Sequence, residues 1–328
     1  MSSILGEGNT PCIASARFEG LRFKLEQCNP TGSYKDRFIA RELQELPAGT
    51  RFVIATSSGN TGAALAAYAA RFGIRCMIFA NADAPAGKVM QMRAHGATVV
   101  RIPGFAVDPA ITDNVFAALR ASGVPLIVSA FRYCPRGMAG VETISHELRG
   151  LAPDHVFVPV GGGGLYSAVV QGFEGRVRVH AVQPSGCATV VGAWSQRKPE
   201  AEAVASTTAI SGLSVPTDID ATLALTRLYA CGGRGIAVSD AEVFEAQGAM
   251  LSTEGIYCEP AGATAFAGFL RAKAVGWIGE GETAVCVVTG HGFKDPASIE
   301  RAAAAHESPL IDAAQVRDLI EEHRWHAG

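Results

Sequence analysis

Two short stretches have the residue types and spacing to do chemistry. In NPTGSYKDR, Asn29 to Arg37, an Asn-Pro-Gly turn sets Lys35 one or two residues into a helix. Lysine is scarce, supplying six of the 28 basic residues, and one of the six sits beside the most turn-prone stretch of the N-terminal region. The positive end of a helix disfavours a cation, and for an amine that favours the neutral, nucleophilic form. Most lysines near a helix start are merely solvated, so Lys35 alone decides nothing. The second stretch is GGGG, Gly161 to Gly164, which follows the apolar run HVFVPV and opens a helix. Glycine backbones approach closely and their amides converge at the positive helix end, which suits a phosphate. A tight strand-to-helix packing turn has the same sequence.

Spacing excludes the nucleotide fingerprints. Counting G-x-G-x-x-G from Gly161 puts Tyr166 where the last glycine belongs, and Gly87-Lys88 is followed by Val89 where a P-loop needs Ser or Thr. A lysine nucleophile with a phosphate cradle points instead to a phosphorylated aldehyde held as a Schiff base, and pyridoxal phosphate has both groups.

The elements that must position these residues alternate. RFVIAT (51–56) leads to the helical NTGAALAAYAARFG (60–73), RCMIFA (75–80) to GKVMQMRAHG (87–96), and TVVRI (98–102) to PAITDNVFAALRASG, then PLIVSA (125–130). HVFVPVG (155–161), RVHAVQP (178–184) and TAVCVVTG (283–290) continue the pattern, with helices around 240–254 and 261–274 before the last. Short, fully apolar strands between amphipathic helices predict an α/β chain with parallel-rich sheets, two in number, covered by helices on both faces. SQRKPEAEAVASTT (195–208) is the least patterned stretch and reads as a surface excursion. Four glycine-rich loops fall just beyond strand ends, where such sheets bind ligands: NPTGSYKDR, TSSGNTG (56–62), GGGG and TGHGFKDP (289–296).

Bulk properties exclude other classes. At 328 residues and 48% hydrophobic content the chain can bury one large core or two moderate ones. A net charge of −3 without runs of like charge gives no footprint for nucleic acid or an acidic membrane. No apolar run approaches the roughly 18 residues a membrane span needs, and MSSILGEGNTPC lacks the pattern of a signal peptide. The eight cysteines have no metal-ligand spacing, so no metal is expected, and they read as small buried residues in a reducing cytoplasm.

Taken together, EGNTPC, NPTGSYKDR, TSSGNTG, VGGGGL, EGIYCEPAGA and TGHGFKDP resemble, in order, the motifs of the fold-type II pyridoxal-phosphate enzymes, from residue 7 to residue 296. That family includes threonine synthase, serine/threonine dehydratase, cysteine synthase and the tryptophan synthase β chain. NPTGSYKDR and TGHGFKDP look most like the threonine synthase group. The resemblance implies a two-domain fold with pyridoxal 5′-phosphate in the interdomain cleft. The smaller domain would run over 46–135, and the larger would combine 1–45 with 136–328. It implies that Lys35 forms the Schiff base and moves the Cα proton, and that Asn60 bonds the cofactor's 3′ oxygen. Gly161, Gly162, Gly163 and Gly164, with the amide of Leu165, would hold the phosphate. Thr289 would face the pyridine nitrogen, where a neutral hydroxyl suits elimination and replacement over transamination. Ser57, Ser58, Gly59 and Thr61 would receive the substrate carboxylate. Lys88 and Arg136 stand at places resembling the family's phosphate contacts.

Glu259 in CEPAG follows a family pattern near the cofactor, though a carboxylate at a helix start beside Pro260 explains it equally well. Lys24 in RFKLE reads as structural, and Lys294 with Asp295 as an exposed loop ion pair. Two departures bear on substrate. Glu142 stands where threonine synthases usually carry lysine, and Ser214 where they carry arginine. Facing the site, they would oppose a phosphate dianion. The expected activity is therefore a lyase-type elimination or replacement at Cβ or Cγ of a small L-amino acid. Threonine synthase is the nearest named activity. A serine/threonine dehydratase, a cysteine-synthase-like enzyme or a specialised pathway enzyme are alternatives, as is an idle partner-binding scaffold. The fold implied by the resemblance is that of homodimers, so a homodimer is expected.

Overall fold

The computed structural model describes residues 3–57, 59–175, 177–304 and 306–326. Its strands are β1 (Cys12–Ala14), β2 (Leu21–Leu25), β3 (Phe52–Thr56), β4 (Arg75–Asn81), β5 (Thr98–Ile102), β6 (Leu126–Ile127), β7 (His155–Pro159), β8 (Arg178–Pro184), β9 (Gly235–Val238) and β10 (Ala284–Val288). They form a six-stranded sheet in the order β1-β2-β10-β7-β8-β9 and a four-stranded sheet in the order β5-β4-β3-β6. Among the strand pairs of the described residues, β1–β2 is antiparallel and the rest are parallel. β7 and β10 are buried at every position, as strands covered by helices on both faces must be. No helix among the described residues is long and apolar enough to cross a membrane.

Strand order decides which loops meet. β10 lies between β2 and β7, so the loops after β2, β10 and β7, which carry Lys35, Thr289 and the glycines, emerge side by side. β3 pairs with β6, so the Asn60 loop adjoins the loop after β6. These are carboxyl ends at a reversal of strand order, the usual place for a ligand in such sheets.

One apolar cluster includes Val53 and Ile78 of the smaller sheet, Phe38 and Ile39 of the Lys35–Gln44 helix, and Val156 and Val285 of the larger sheet. A second, around Phe23, Phe157, Phe266 and Phe269, fills the other face of the larger sheet. The Lys35–Gln44 helix crosses the Pro135–Val141 helix closely enough that a Cβ at Gly140 would overlap the Arg37 carbonyl. Its Arg37 is held by Glu26, with Nε 2.7 Å from Oε2, and by Glu147. Lys24, read as structural, is likewise buried, paired with Glu147 and donating to the Thr10 carbonyl at 2.7 Å.

Two elements depart from expectation. The strand anticipated over 125–130 stops at Ile127, because the chain turns so that Ala130 N donates to the Val128 carbonyl at 2.8 Å. The segment beyond the Thr189–Ser195 helix, up to Asp220, is irregular, but it is no mere surface excursion. Ala201, Ile210 and Leu213 are buried, and its second half packs on the glycine loop.

Candidate active site

Lys35 is the first residue of its helix, and the turn before it is held on every side. Tyr34 N donates to the Thr289 carbonyl at 3.1 Å and His291 N to the Gly32 carbonyl at 3.0 Å. Asp36 accepts from Thr31 N at 2.9 Å and Thr31 Oγ1 at 2.7 Å. Gln91 Nε2, from the Ala86–Ala94 helix of the smaller sheet, donates to the Thr31 carbonyl at 3.1 Å. Gly32 has a φ of +84°, and a Cβ there would lie 3.0 Å from Lys294 Cε, so the turn requires glycine twice over. Lys35 Nζ donates to Ser129 Oγ at 2.5 Å and lies 4.6 Å from the centre of the Tyr34 ring. Ser129 Oγ is in turn 3.1 Å from Thr61 Oγ1.

Asn60 opens the Asn60–Phe72 helix, and its Nδ2 donates to Glu259 Oε1 at 2.6 Å, while its Oδ1 is buried with no hydrogen-bond partner among the described residues. Glu259 thus does not cap the helix it precedes. Its carboxylate turns to Asn60 and to Lys88, whose Nζ lies 3.0 Å from Oε2, out of line for a hydrogen bond. Lys88 is 1% exposed and also reaches Ser211 Oγ at 3.3 Å. Ser57 Oγ accepts from the amides of Gly59 and Gly62, pinning the loop; Ser58 lies outside the described residues.

The exposed pair expected of Lys294 and Asp295 does not form. Lys294 is 4% exposed and donates to Gln91 Oε1 at 2.9 Å, while Asp295 accepts from Ser298 N at the next helix. Burial pushes the Lys294 amine down to about 8; Glu259 and Asp36 oppose the shift and Lys88 adds to it. Burial likewise raises the Asp36 carboxyl to about 6 against its bonds from Thr31.

Gly163 has a φ of +97°, and a Cβ on it would lie 2.5 Å from the Asp220 carbonyl; one on Gly161 would lie 2.8 Å from the Gly212 carbonyl. Side chains are thus excluded by the 212–220 segment. Among the described residues no acceptor takes the amide hydrogens of Gly161, Gly162, Gly163 or Gly164, which stand at the start of the Gly164–Phe173 helix. Asp220 ties this loop to its neighbour: its amide donates to the Gly162 carbonyl, and its carboxylate accepts from Phe131 N at 2.7 Å and Arg132 N at 3.1 Å.

A family model described as pyridoxal-phosphate dependent enzyme matches residues 4–290. The chain belongs to that family. It is 33% identical over 309 residues to a threonine synthase of Mycobacterium bovis, covering 88% of this chain and 83% of that one. Among solved structures it resembles threonine deaminase isoform 2 of Solanum lycopersicum, with a TM-score of 0.78 at 21% identity over 91% of this chain and 88% of that one. A maize serine racemase gives a TM-score of 0.75 at 22% identity, covering 97% and 93%. The fold is that of the fold-type II pyridoxal-phosphate enzymes.

The residues present fit that cofactor. The unclaimed glycine amides suit its phosphate, the amine of Lys35 suits its aldehyde, and the orphaned amide oxygen of Asn60 marks a polar place with an unfilled bond. Thr289 and Leu165 are buried beside the two loops.

Other expectations need correction. Arg136 is 73% exposed, and its nearest acid is Glu45, 4.0 Å away, so the structure does not bring it to the Lys35 cluster. Glu142 does not face the cluster either: it accepts from Gln171 Nε2 at 2.8 Å, at the far end of the Gly164–Phe173 helix. Ser214 pairs with Ser206 at 2.7 Å on the surface. Sequence reasoning missed Ser129, Gln91 and Asp220. Ser129 is the penultimate residue of the run PLIVSA, two residues past the end of β6, and a hydroxyl just beyond the carboxyl end of a strand was the available signal. Nothing local marks Gln91 or Asp220.

Proposed function

We propose that the chain catalyses elimination or replacement at Cβ or Cγ of a small L-amino acid. The observation that carries this is the convergence of the Lys35 amine, the open glycine amides and the Asn60 amide at adjacent strand ends. Pyridoxal phosphate, when bound, draws electrons from the Cα of an attached amino acid. The protein supplies the rest. Lys35 would hold the cofactor through its aldehyde and would supply the amine that moves the Cα proton. Gly161 to Gly164 and the Leu165 amide hold the phosphate, and Asn60, oriented by Glu259, holds the ring. Thr289 offers the ring nitrogen a neutral hydroxyl, while Ser57, Ser58, Gly59 and Thr61 receive the substrate carboxylate. The domains are 46–135 and the remainder, so closure assembles the site and excludes water.

Threonine synthase is the nearest named activity, on the resemblance to the mycobacterial relative. One observation favours the second reading, a serine/threonine dehydratase or β-replacement enzyme. Of the two cations expected at a phosphate leaving group, Lys88 is taken by Glu259 and Arg136 faces solvent. A cytoplasmic homodimer is part of the proposal, the homodimer on family resemblance.

The test is an absorbance spectrum of purified protein with pyridoxal phosphate, repeated with O-phosphohomoserine, L-serine and L-threonine. A yellow band that shifts with one of them, and a turnover at least about 10³-fold lower in Lys35→Ala, are expected. Protein that stays colourless sinks the proposal. A cofactor that borohydride still links to Lys35→Ala removes Lys35 from its role.

A further inference from the structure

We propose that Ser129 is the positioning residue for the Lys35 amine, holding it at a fixed point whenever the lysine is free of cofactor. This rests on Lys35 being the cofactor lysine. A lysine that alternates between carrying a cofactor and shuttling a proton has a difficulty of its own making. Its four-carbon stem is flexible, and each release scatters the amine over many rotamers unless something receives it. Ser129 Oγ, 2.5 Å from Nζ, is such a receiver.

Three features make it a fixed one. The Asp220 carboxylate accepts the amides of Phe131 and Arg132, clamping the loop just after Ser129. Ala130 N bonds back to the Val128 carbonyl, closing a turn with Ser129 at its centre. The Ser129 carbonyl rests against the phosphate loop, 3.4 Å from where a Cβ on Gly164 would stand. The hydroxyl itself is aimed. A Ser129 oxygen that accepts from the amine has its own hydrogen left to give, and Thr61 Oγ1 stands 3.1 Å away to accept it. Ser129 lies in the loop after β6 and Thr61 in the helix after β3, both of the smaller sheet, whereas Lys35 follows β2 of the larger one. The amine is therefore received across the cleft, and its position depends on how the two sheets are set.

The experiment compares full-length protein freed of cofactor, Ser129→Ala and Ser129→Thr. Each is treated with an amine-acylating reagent, and labelling of each lysine is followed by peptide mass spectrometry. Loss of a hydrogen bond to an amine should raise Lys35 labelling roughly tenfold in Ser129→Ala, with Ser129→Thr close to the unchanged protein. Lys88 and Lys294, both buried, should stay protected. In the loaded enzyme, kcat should fall about tenfold with KM within about twofold. Unchanged Lys35 labelling in Ser129→Ala overturns the proposal. So does a joint gain at Lys35, Lys88 and Lys294, which would mean that the variant merely loosens the fold. A borohydride adduct on a peptide other than that of Lys35 would instead sink the cofactor assignment, and the labelling would then report on the contact alone.

Discussion

The two ends of the larger sheet hold comparable sets of buried polar groups and treat them in opposite ways. At the amino end, His155 and His180 stack on one another and on Phe157. The Arg234 amide donates to His180 Nδ1 at 3.2 Å, which places the His180 proton on Nε2, directed at His155 Nδ1 2.8 Å away. His155 then directs its own Nε2 proton at Glu282, 3.0 Å away, and Arg178 closes the chain at 2.5 Å. Every ring nitrogen is used. At the carboxyl end, among the described residues, Asn60 Oδ1 and Ser33 Oγ are buried without hydrogen-bond partners, the glycine amides stand open, and Lys294 donates to a neutral glutamine. Closed chains of bonds hold structure, whereas unfilled bonds are what a ligand completes. A cavity of about 350 Å³ lined by Arg149, Asp154, Arg178 and Cys231 lies at the closed end, away from Lys35, so volume alone is a poor guide to where the chemistry sits.

The sharpest way to break this contrast is acid. Burial, then the neighbouring His155, Arg178 and Arg234, hold His180 down to about 3 from an ordinary 6.5. Between those values the unfolded chain binds a proton that the folded chain refuses, so stability falls as pH falls through that window. The loss should reach roughly 5 kcal/mol near pH 3. Denaturant melts of the protein and of His180→Gln at pH 7 and pH 4 would show it; equal pH dependence in the two would count against the closed chain.

A smaller effect of the same sense, at higher pH, belongs to the site. Lys294 titrates at about 8 when folded against 10.5 ordinarily. Between those values the unfolded chain keeps the proton that the folded one has released, so stability rises with pH across the window, by about 3 kcal/mol in all. Lys294→Met should abolish that rise, and melts at pH 7.5 and pH 10 measure it. The smallest change is expected at the two sequence departures. Glu142→Lys with Ser214→Arg should leave the preference among amino-acid substrates within about twofold, because neither side chain faces the cluster. A larger shift in relative kcat/KM would show that this region reaches the substrate after all.

The fold was legible because strands buried on both faces must be apolar throughout. HVFVP and AVCVV, which form β7 and β10, are buried at every position; TVVRI and RVHAVQP match β5 and β8 residue for residue, β5 as a partly exposed edge strand. The site was legible only in part. Lys35, Asn60 and the glycine loop lie at turns whose chemistry is local, and local sequence reports it. Glu259, Lys294 and Ser129 take their roles from partners 94 to 203 positions away, and no window of sequence contains such a pair. Lys294 misled for the same reason: beside Asp295 it looks like half of a surface pair, and only folding reveals that it is buried against Gln91.

Glu259 draws Asn60 and Lys88, both from the smaller sheet, onto the larger, and Gln91 reaches across beside them. At the back of the same boundary lies the apolar cluster that contains Val53, Ile78, Val156 and Val285. The boundary is therefore oily along one side and wettable along the other. Were the two sheets to rock apart about the oily side, water would enter over carboxylate, amide and ammonium groups that it solvates well, and little apolar surface would be laid bare. An opening of that kind would offer no sticky face to neighbouring molecules.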